Sequence, residues 1–383
     1  MNRTIPNPDL SPRTHVSIAS LKLAPGGRSS IGLSRRARNW LVMLSDPLRP
    51  PASLPPTMLP PDDLNELFAQ AESQGVLAIV LRNFQSATDD ARYEPVIAAA
   101  TARHRNVIGL SLMIEHRARA LLRQVREQDL PATVVKGPIF ARRLYSEKVL
   151  RRFTDLDVLV APEAIGRLEA ILRRQGFELA EEPRPAAREW KWVHRDYPDV
   201  MVEVQCDLVH APSLRAAMSL AYRDLVLGRD SAAAARPAAL LVTAAIHGSC
   251  HQYERLLHVL DMCQAARLFN AGDDLRELKA LIGRTGARFA AVTGLQLAGR
   301  IFSEPRCLAL ARALGPVRHA ALAGRLIDRS VIASSMGRGR WMHSWRRSAY
   351  RALLKRGRPG PPQADDPTIA GIAAASPIGD AGA

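Results

Sequence analysis

Phe153-Thr154-Asp155-Leu156-Asp157-Val158-Leu159-Val160 is the stretch on which the reading of the whole chain turns. Its apolar, β-branched composition predicts a strand. On a strand, residues i and i+2 share a face. Asp155 and Asp157 therefore stand together, while Leu156, Val158 and Val160 point the other way. Two carboxylates so close repel each other and raise each other's pKa unless a cation lies between them. Hard oxygen ligands of this kind select Mg²⁺ or Mn²⁺ over softer metals. The stretch from Val200 to Asp207 repeats the pattern, with Val200, Val202, Val204 and Cys206 on one face and Met201, Glu203, Gln205 and Asp207 on the other. Glu203 projects from the middle of this strand, where an acid needs a partner. If the two strands are neighbours, Glu203 completes a three-carboxylate cluster. An isolated Asp-x-Asp is also an ordinary turn or edge pair, so spacing alone leaves both readings open.

Outward from this stretch, Ala132 to Val135 is a short apolar strand ending in Lys136-Gly137, with Pro138 suited to the first turn of a helix that runs to Leu144-Tyr145. A glycine at a strand end opening a helix lets a backbone approach closely, and a helix N-terminus attracts phosphate. Pro162 to Gln175 forms an amphipathic helix closed by Gly176. Trp190 to His194 and Val200 to Asp207 are further strands, with Pro198-Asp199 as the turn between them. Upstream, Asp62-Asp63 looks like the N-cap of a helix that runs through Phe84, followed by one long helix from Tyr93 to Gln128. Ser213 to Asp328 reads almost entirely as helix.

The expected organisation is α+β. Residues 1–34 form a disordered basic segment, 35–129 an N-terminal helical region, and 130–210 a small mixed-sheet αβ core. Residues 211–330 form a C-terminal helical region, and 331–383 a basic helix with a disordered Pro/Gly/Ala tail. The prolines between Pro47 and Pro61 make a stiff connector.

Composition bounds the function. Hydrophobic content of 47% is enough for a sizeable core. The net charge of +16 comes overwhelmingly from arginine, since Lys22, Lys136, Lys148, Lys191, Lys279 and Lys355 are the only lysines. Such a balance suits phosphate-bearing partners, but patches rather than totals bind nucleic acid. Cys206, Cys250, Cys263 and Cys307 are scattered and suggest free thiols, not a disulfide framework or zinc ribbon. No apolar run reaches the ~20 residues of a membrane span. The apolar stretch after Ser34-Arg35-Arg36 is cut short by Ser45-Asp46-Pro47, against a twin-arginine signal. A cytoplasmic protein is expected.

The run Val134-Val135-Lys136-Gly137, then Leu144-Tyr145, then Leu150-Arg151-Arg152-Phe153-Thr154-Asp155-Leu156-Asp157-Val158-Leu159-Val160 resembles the signature of the uncharacterised bacterial nucleotidyltransferase family, within the DNA polymerase β-like superfamily. Gly176-Phe177, Val202-Glu203-Val204, and the downstream His247, His251 and Leu260-Asp261 extend the likeness over about residues 35–310. The resemblance implies a nucleotidyltransferase core in which Asp155, Asp157 and Glu203 hold Mg²⁺ or Mn²⁺. It implies transfer of an NMP from an NTP, ATP among the candidates, to a hydroxyl acceptor with release of pyrophosphate. Lys136, Gly137 and Arg151 would cradle the triphosphate. A small molecule, peptide or protein is favoured as acceptor over nucleic acid. Two positions depart from the pattern: Pro138 stands where the superfamily commonly has a serine, and Gln205-Cys206 where the family tends to have His-Trp. These departures keep a second expectation alive, a catalytically silent nucleotide- or partner-binding accessory protein. An arginine-rich nucleic-acid binder is a third.

Other residues have plainer readings beside functional ones. His247 and His251 are four apart, a spacing that can bind zinc, yet Gly248 stands where a metalloprotease has glutamate. An NTP or acceptor contact, or simple helix packing, suits the group of His247, Cys250, His251, His258 and Cys263 as well. Asp261 reads as an interhelical hydrogen-bonding residue with Arg255 as partner. Trp190, Trp192 and Tyr197 could stack a base, but hairpin packing explains them equally. Arg338 to Arg358, interleaved with Trp341, Trp345 and Tyr350, reads as a surface helix and tail or as a contact for nucleic acid or an acidic membrane.

Overall fold

The computed structural model describes residues 35–48, 60–181, 189–226, 234–270, 272–328 and 340–356. The expected N-terminal segment, most of the proline connector, Arg338-Gly339, the side chain of Trp341 and the tail after Arg356 lie outside them.

The architecture is α+β, with one five-stranded mixed sheet embedded in helices. Helices α1 (Arg35–Leu44), α2 (Pro61–Ser73), α3 (Leu77–Gln85) and α4 (Glu94–Glu127) precede β1 (Ala132–Val135), α5 (Gly137–Arg143), β2 (Leu156–Val160), α6 (Ile165–Arg174), β3 (Phe177–Leu179), β4 (Glu189–His194) and β5 (Tyr197–Gln205). Short helices α7 (Pro212–Arg215) and α8 (Tyr222–Leu225) lead into α9 (Pro237–Cys250), α10 (Leu256–Arg267), α11 (Asp273–Thr285), α12 (Arg288–Ile301), α13 (Pro305–Ala313), α14 (Ala320–Leu326) and α15 (Arg340–Arg356).

Strand order is β1-β2-β5-β4-β3. β2 and β5 run parallel at the centre, and the other neighbours are antiparallel. Each apolar side chain taken from water contributes about 1.5–3 kcal/mol, so the alternation of apolar positions dictates which face goes where. Val134, Leu156, Val158, Val160, Val200, Val202, Val204 and Trp192 pack on α4 and α6. Val135 and Leu159 point to the opposite face, into the large core of the helical regions. Asp157 and Glu203 share that second face.

Helix α4 ties the two cores together. Val96 and Ala100 in its first half pack with α2 and α3; Ile114, Ala118, Leu121 and Val125 in its second half underlie the sheet. At 34 residues it spans about 50 Å. Helices α9, α10 and α12 are apolar nearly all round and are buried accordingly.

Three sequence expectations need correction. The helix through Phe84 is two helices, because Gly75 at φ +79° breaks it and sits against the Leu257 side chain. Asp62 and Asp63 lie in the first turn of α2 without capping it by a side-chain bond. The β4–β5 turn falls at Arg195-Asp196, where the Asp196 N–H donates to His194 Nδ1, and Pro198-Asp199 belong to β5. A proline with no N–H to donate is tolerated near a strand's start.

Candidate active site

Asp157 lies in β2 paired with Val135 on one side and with Glu203 of β5 on the other. The strand begins at Leu156, so Phe153, Thr154 and Asp155 of the expected strand fall before it. Phe153 accepts from Ser111 Oγ at 2.8 Å, and its N–H donates back to the same oxygen at 3.3 Å. Those bonds go to α4 and not to the sheet, so Asp155 reaches the cluster from a loop. Burial and the charge of Asp157 push the Asp155 carboxyl above its ordinary range. Burial, with repulsion from Asp157, Asp155 and Glu189, raises Glu203 to about 7.

Lys136 faces this group. Its Nζ lies 2.6 Å from Asp157 Oδ1, with both side chains buried. Burial opposes its charge, but Asp157, Asp155 and Glu203 together hold the ammonium above its usual pKa. Lys136 adopts φ +53°, ψ −138°, a strained conformation of the sort that costs about 1–3 kcal/mol and gathers at functional sites. Gly137 follows at φ +26°, where a Cβ would stand 3.4 Å from the Asp155 carbonyl oxygen. Glycine here lets α5 start directly against the Asp155 loop.

Gln205 is part of the same network. Its Nε2 donates to Asp157 Oδ1 at 2.9 Å. Its Oε1 meets His210 Nε2 at 3.0 Å, while His210 Nδ1 lies 2.7 Å from Glu189 Oε2. The hydrogen bond from His210 draws Glu189 below the usual carboxylate range. Glu189 and His210 were not among the residues expected from sequence. Only the register Glu189↔Gln205 brings them in, and that depends on where the hairpin turns. Lys191 Nζ lies 3.6 Å from Glu203 Oε1.

Arg151 stands behind the site. It is buried over the Phe140 ring and grips Asp261 of α10 with Nη2–Oδ2 at 2.9 Å and Nε–Oδ1 at 3.3 Å. Tyr145 Oη donates to Asp261 Oδ1 at 2.8 Å. The partner of Asp261 is thus Arg151 and not Arg255. The Arg151 guanidinium is buried and bound to Asp261, whereas Lys136 contacts Asp157 directly and Gly137 lies against the Asp155 carbonyl.

Across from them, His247, His251 and His258 bring their rings together, with centroids 4.7–5.3 Å apart. Burial, then the charge of Lys136, depresses His247; burial, then His251 and Arg255, depresses His258. Among the described residues, no three His, Cys, Asp or Glu side chains converge closely enough, as they stand, to enclose a metal ion. Trp192 is buried beneath Arg173, and Tyr350 is buried with its hydroxyl on Ser249 and Thr293, so neither is available to stack a base. A cavity of about 540 Å³ between α12 and α13, lined by Gln296, Arg300, Leu308 and Arg312, holds none of these residues.

The candidate site is thus a mixed sheet carrying acids on two adjoining strands, with a Lys-Gly helix start beside them. The model of the family described as "Uncharacterised nucleotidyltransferase" matches residues 60–303, and the chain belongs to that family. Membership supports nucleotidyl transfer as the general reaction and an NTP as substrate. No curated protein and no solved structure matches the chain. Among the described residues, no helix is long and apolar enough to cross a membrane.

Proposed function

We propose that the protein is a Mg²⁺- or Mn²⁺-dependent nucleotidyltransferase that moves an NMP from an NTP to a hydroxyl acceptor. One observation carries this reading: the in-register pairing of Asp157 with Glu203 across parallel strands, with Asp155 at the mouth of the first. The donors are hard oxygens, as these ions require. Burial, and then repulsion within the cluster, keeps the Asp155 and Glu203 carboxyls above their ordinary range even beside Lys136, a penalty that a bound cation would relieve. Both close contacts to Asp157 fall on Oδ1, which suits Oδ2 to an ion. Asp155 and Asp157 would hold the ions, with Glu203 as the third ligand after a modest side-chain movement. When bound, they would neutralise the carboxylates, polarise the α-phosphate and stabilise the leaving pyrophosphate.

Glu203 would accept the proton of the acceptor hydroxyl. The hydroxyl oxygen then bonds to the α-phosphorus as the Pα–O bond to pyrophosphate breaks. Lys136 and Gln205 hold Asp157 in place from two sides. Arg151, tied to Asp261, fixes the loop that presents Asp155. Favoured acceptors are a small molecule, peptide or protein.

The test is incubation with each labelled NTP and Mg²⁺ or Mn²⁺, reading nucleotide binding and pyrophosphate release. Asp157→Asn and Glu203→Gln are each expected to lower turnover more than about 100-fold, beyond the loss usual for an outer partner of a metal ligand. Metal-independent release, or release unchanged in Asp157→Asn, sinks the reading. A second reading, a catalytically silent nucleotide-binding protein, has its own support: the Lys136 ammonium already neutralises Asp157. Metal-independent NTP binding without turnover across a broad acceptor panel would favour it.

A further inference from the structure

Lys136 is engaged by Asp157 and Arg151 by Asp261, while the Arg152 guanidinium donates to the carbonyl of Glu72. Among the described residues, Arg255 is a further cation near the site. It is exposed, it acts electrostatically on Asp155 and His258, and among the described residues it makes no salt bridge. Beside it stand the three imidazoles of the α9–α10 hairpin. His258 is 6% exposed, and its Nδ1 is buried without a hydrogen-bond partner. An unsatisfied buried ring nitrogen calls for a ligand, a water or an ion.

The turn that carries these residues is built rigidly. Gln252 and Tyr253 both have positive φ, at 51° and 49°. Tyr253 is fully buried and leaves room for no Cβ at Gly248 or Gly294. The N-terminus of α10 is already capped, because Leu256 N–H donates to Gln74 Oε1 at 2.7 Å and Leu257 N–H to the Gln74 carbonyl at 3.2 Å. The helix end is therefore spoken for, and the side chains remain.

Two ligands suit three clustered histidines, a soft cation or an anion. The surroundings decide between them. Lys136, Arg151 and Arg255 all act on His258, and Lys136 and Arg151 on His247; Glu254 Oε1 lies 3.6 Å from His251 Nδ1, but at the two more buried rings the three cations favour an anion over a cation.

We propose that Arg255 with His247, His251 and His258 forms the polyphosphate-binding wall of the site, receiving the phosphates of an NTP opposite the carboxylates. This rests on the nucleotidyltransferase reading for its place in the reaction, but not for its test. Arg255 supplies charge-assisted hydrogen bonds, and the imidazoles donate through ring N–H groups.

The experiment uses the full chain in EDTA with inorganic tripolyphosphate as probe. Calorimetry gives the affinity, and ¹⁵N-histidine side-chain spectra report the rings. Tripolyphosphate is expected to shift the His247, His251 and His258 signals. Arg255→Gln should weaken binding about tenfold, the loss of one hydrogen-bonded charge. His251→Asn, at an exposed position, should weaken it in the same direction, and Asp157→Asn should not weaken it. Binding with those shifts in a protein that transfers no nucleotide upholds the inference while the reaction assignment fails. Transfer by a protein whose Arg255→Gln and His251→Asn variants bind tripolyphosphate like wild type overturns it. Stoichiometric zinc in the purified protein, lost in His251→Asn, overturns it in favour of a metal site.

Discussion

Glu203 keeps its proton to about pH 7 in the fold, whereas an unperturbed glutamate releases it near 4.5. Between those two values the native state binds more protons than the unfolded chain, so stability falls as pH rises. The contribution is fully present below about 4.5 and is lost by the time pH has passed 7. Since the side chain is only 13% exposed, screening is limited, and the loss can reach about 3 kcal/mol. Asp155 acts in the same direction. Urea unfolding in EDTA at pH 5 to 8 should show Glu203→Gln close to wild type at the acid end and more stable at pH 8. A difference independent of pH would refute a buried, repelled carboxyl. Adding Mg²⁺ at pH 8 should restore the wild type, because a cation relieves the repulsion that the variant lacks.

At the scale of elements, α10 controls the entrance to β2. Asp261 of α10 takes Arg151 bidentately and Tyr145 through its hydroxyl, and all three are buried. Burial opposes the Arg151 charge, and Asp261 more than offsets it. Asp261→Asn leaves that guanidinium without its counter-charge, a change that costs about 3–5 kcal/mol when a buried pair is broken. Arg255→Gln, on the exposed turn of the same hairpin, should stay within about 0.5 kcal/mol. Chemical denaturation of the two variants side by side measures this; comparable losses would show that the Arg151–Asp261 clamp is not a structural one. The clamp gives the arginine four residues before Asp155 a partner inside the core.

Across the whole molecule, the αβ segment depends on its helical surroundings. Val135, Phe140, Leu144, Tyr145, Leu159, Leu208 and Val209 belong to the core that continues through α1 to α3 and α9 to α15. The other sheet face is covered partly by α4, which precedes it. A fragment of residues 130–210 should therefore bind a hydrophobic dye and lack a sharp thermal transition, the signs of unfixed packing. Cooperative unfolding of that fragment would contradict this. Arginines contribute to the assembly as staples. Arg267 joins Asp46 and Glu304, and Arg346 joins Asp328. Some of the 53 lysines and arginines are thus engaged inside the molecule, not displayed to a nucleic acid.

The residues alone determined the strands that carry Asp157 and Glu203, the strand-to-helix start at Lys136-Gly137 and the helical flanks, because period-2 and period-3.6 apolar patterns are local and survive in one dimension. They also brought out Gln205 as an oddity without saying what it touches. Tertiary structure alone decided that Asp157 and Glu203 are register partners, that Lys136 reaches Asp157, and that Arg151 belongs to Asp261, 110 residues away. It likewise gathered three histidines around one point and drew Glu189 and His210 into the carboxylate network. The reason is physical: which charges meet depends on strand order, hairpin register and the crossing of α10 over the sheet. Those are set by burial summed over the whole core, and no short stretch of sequence records that sum.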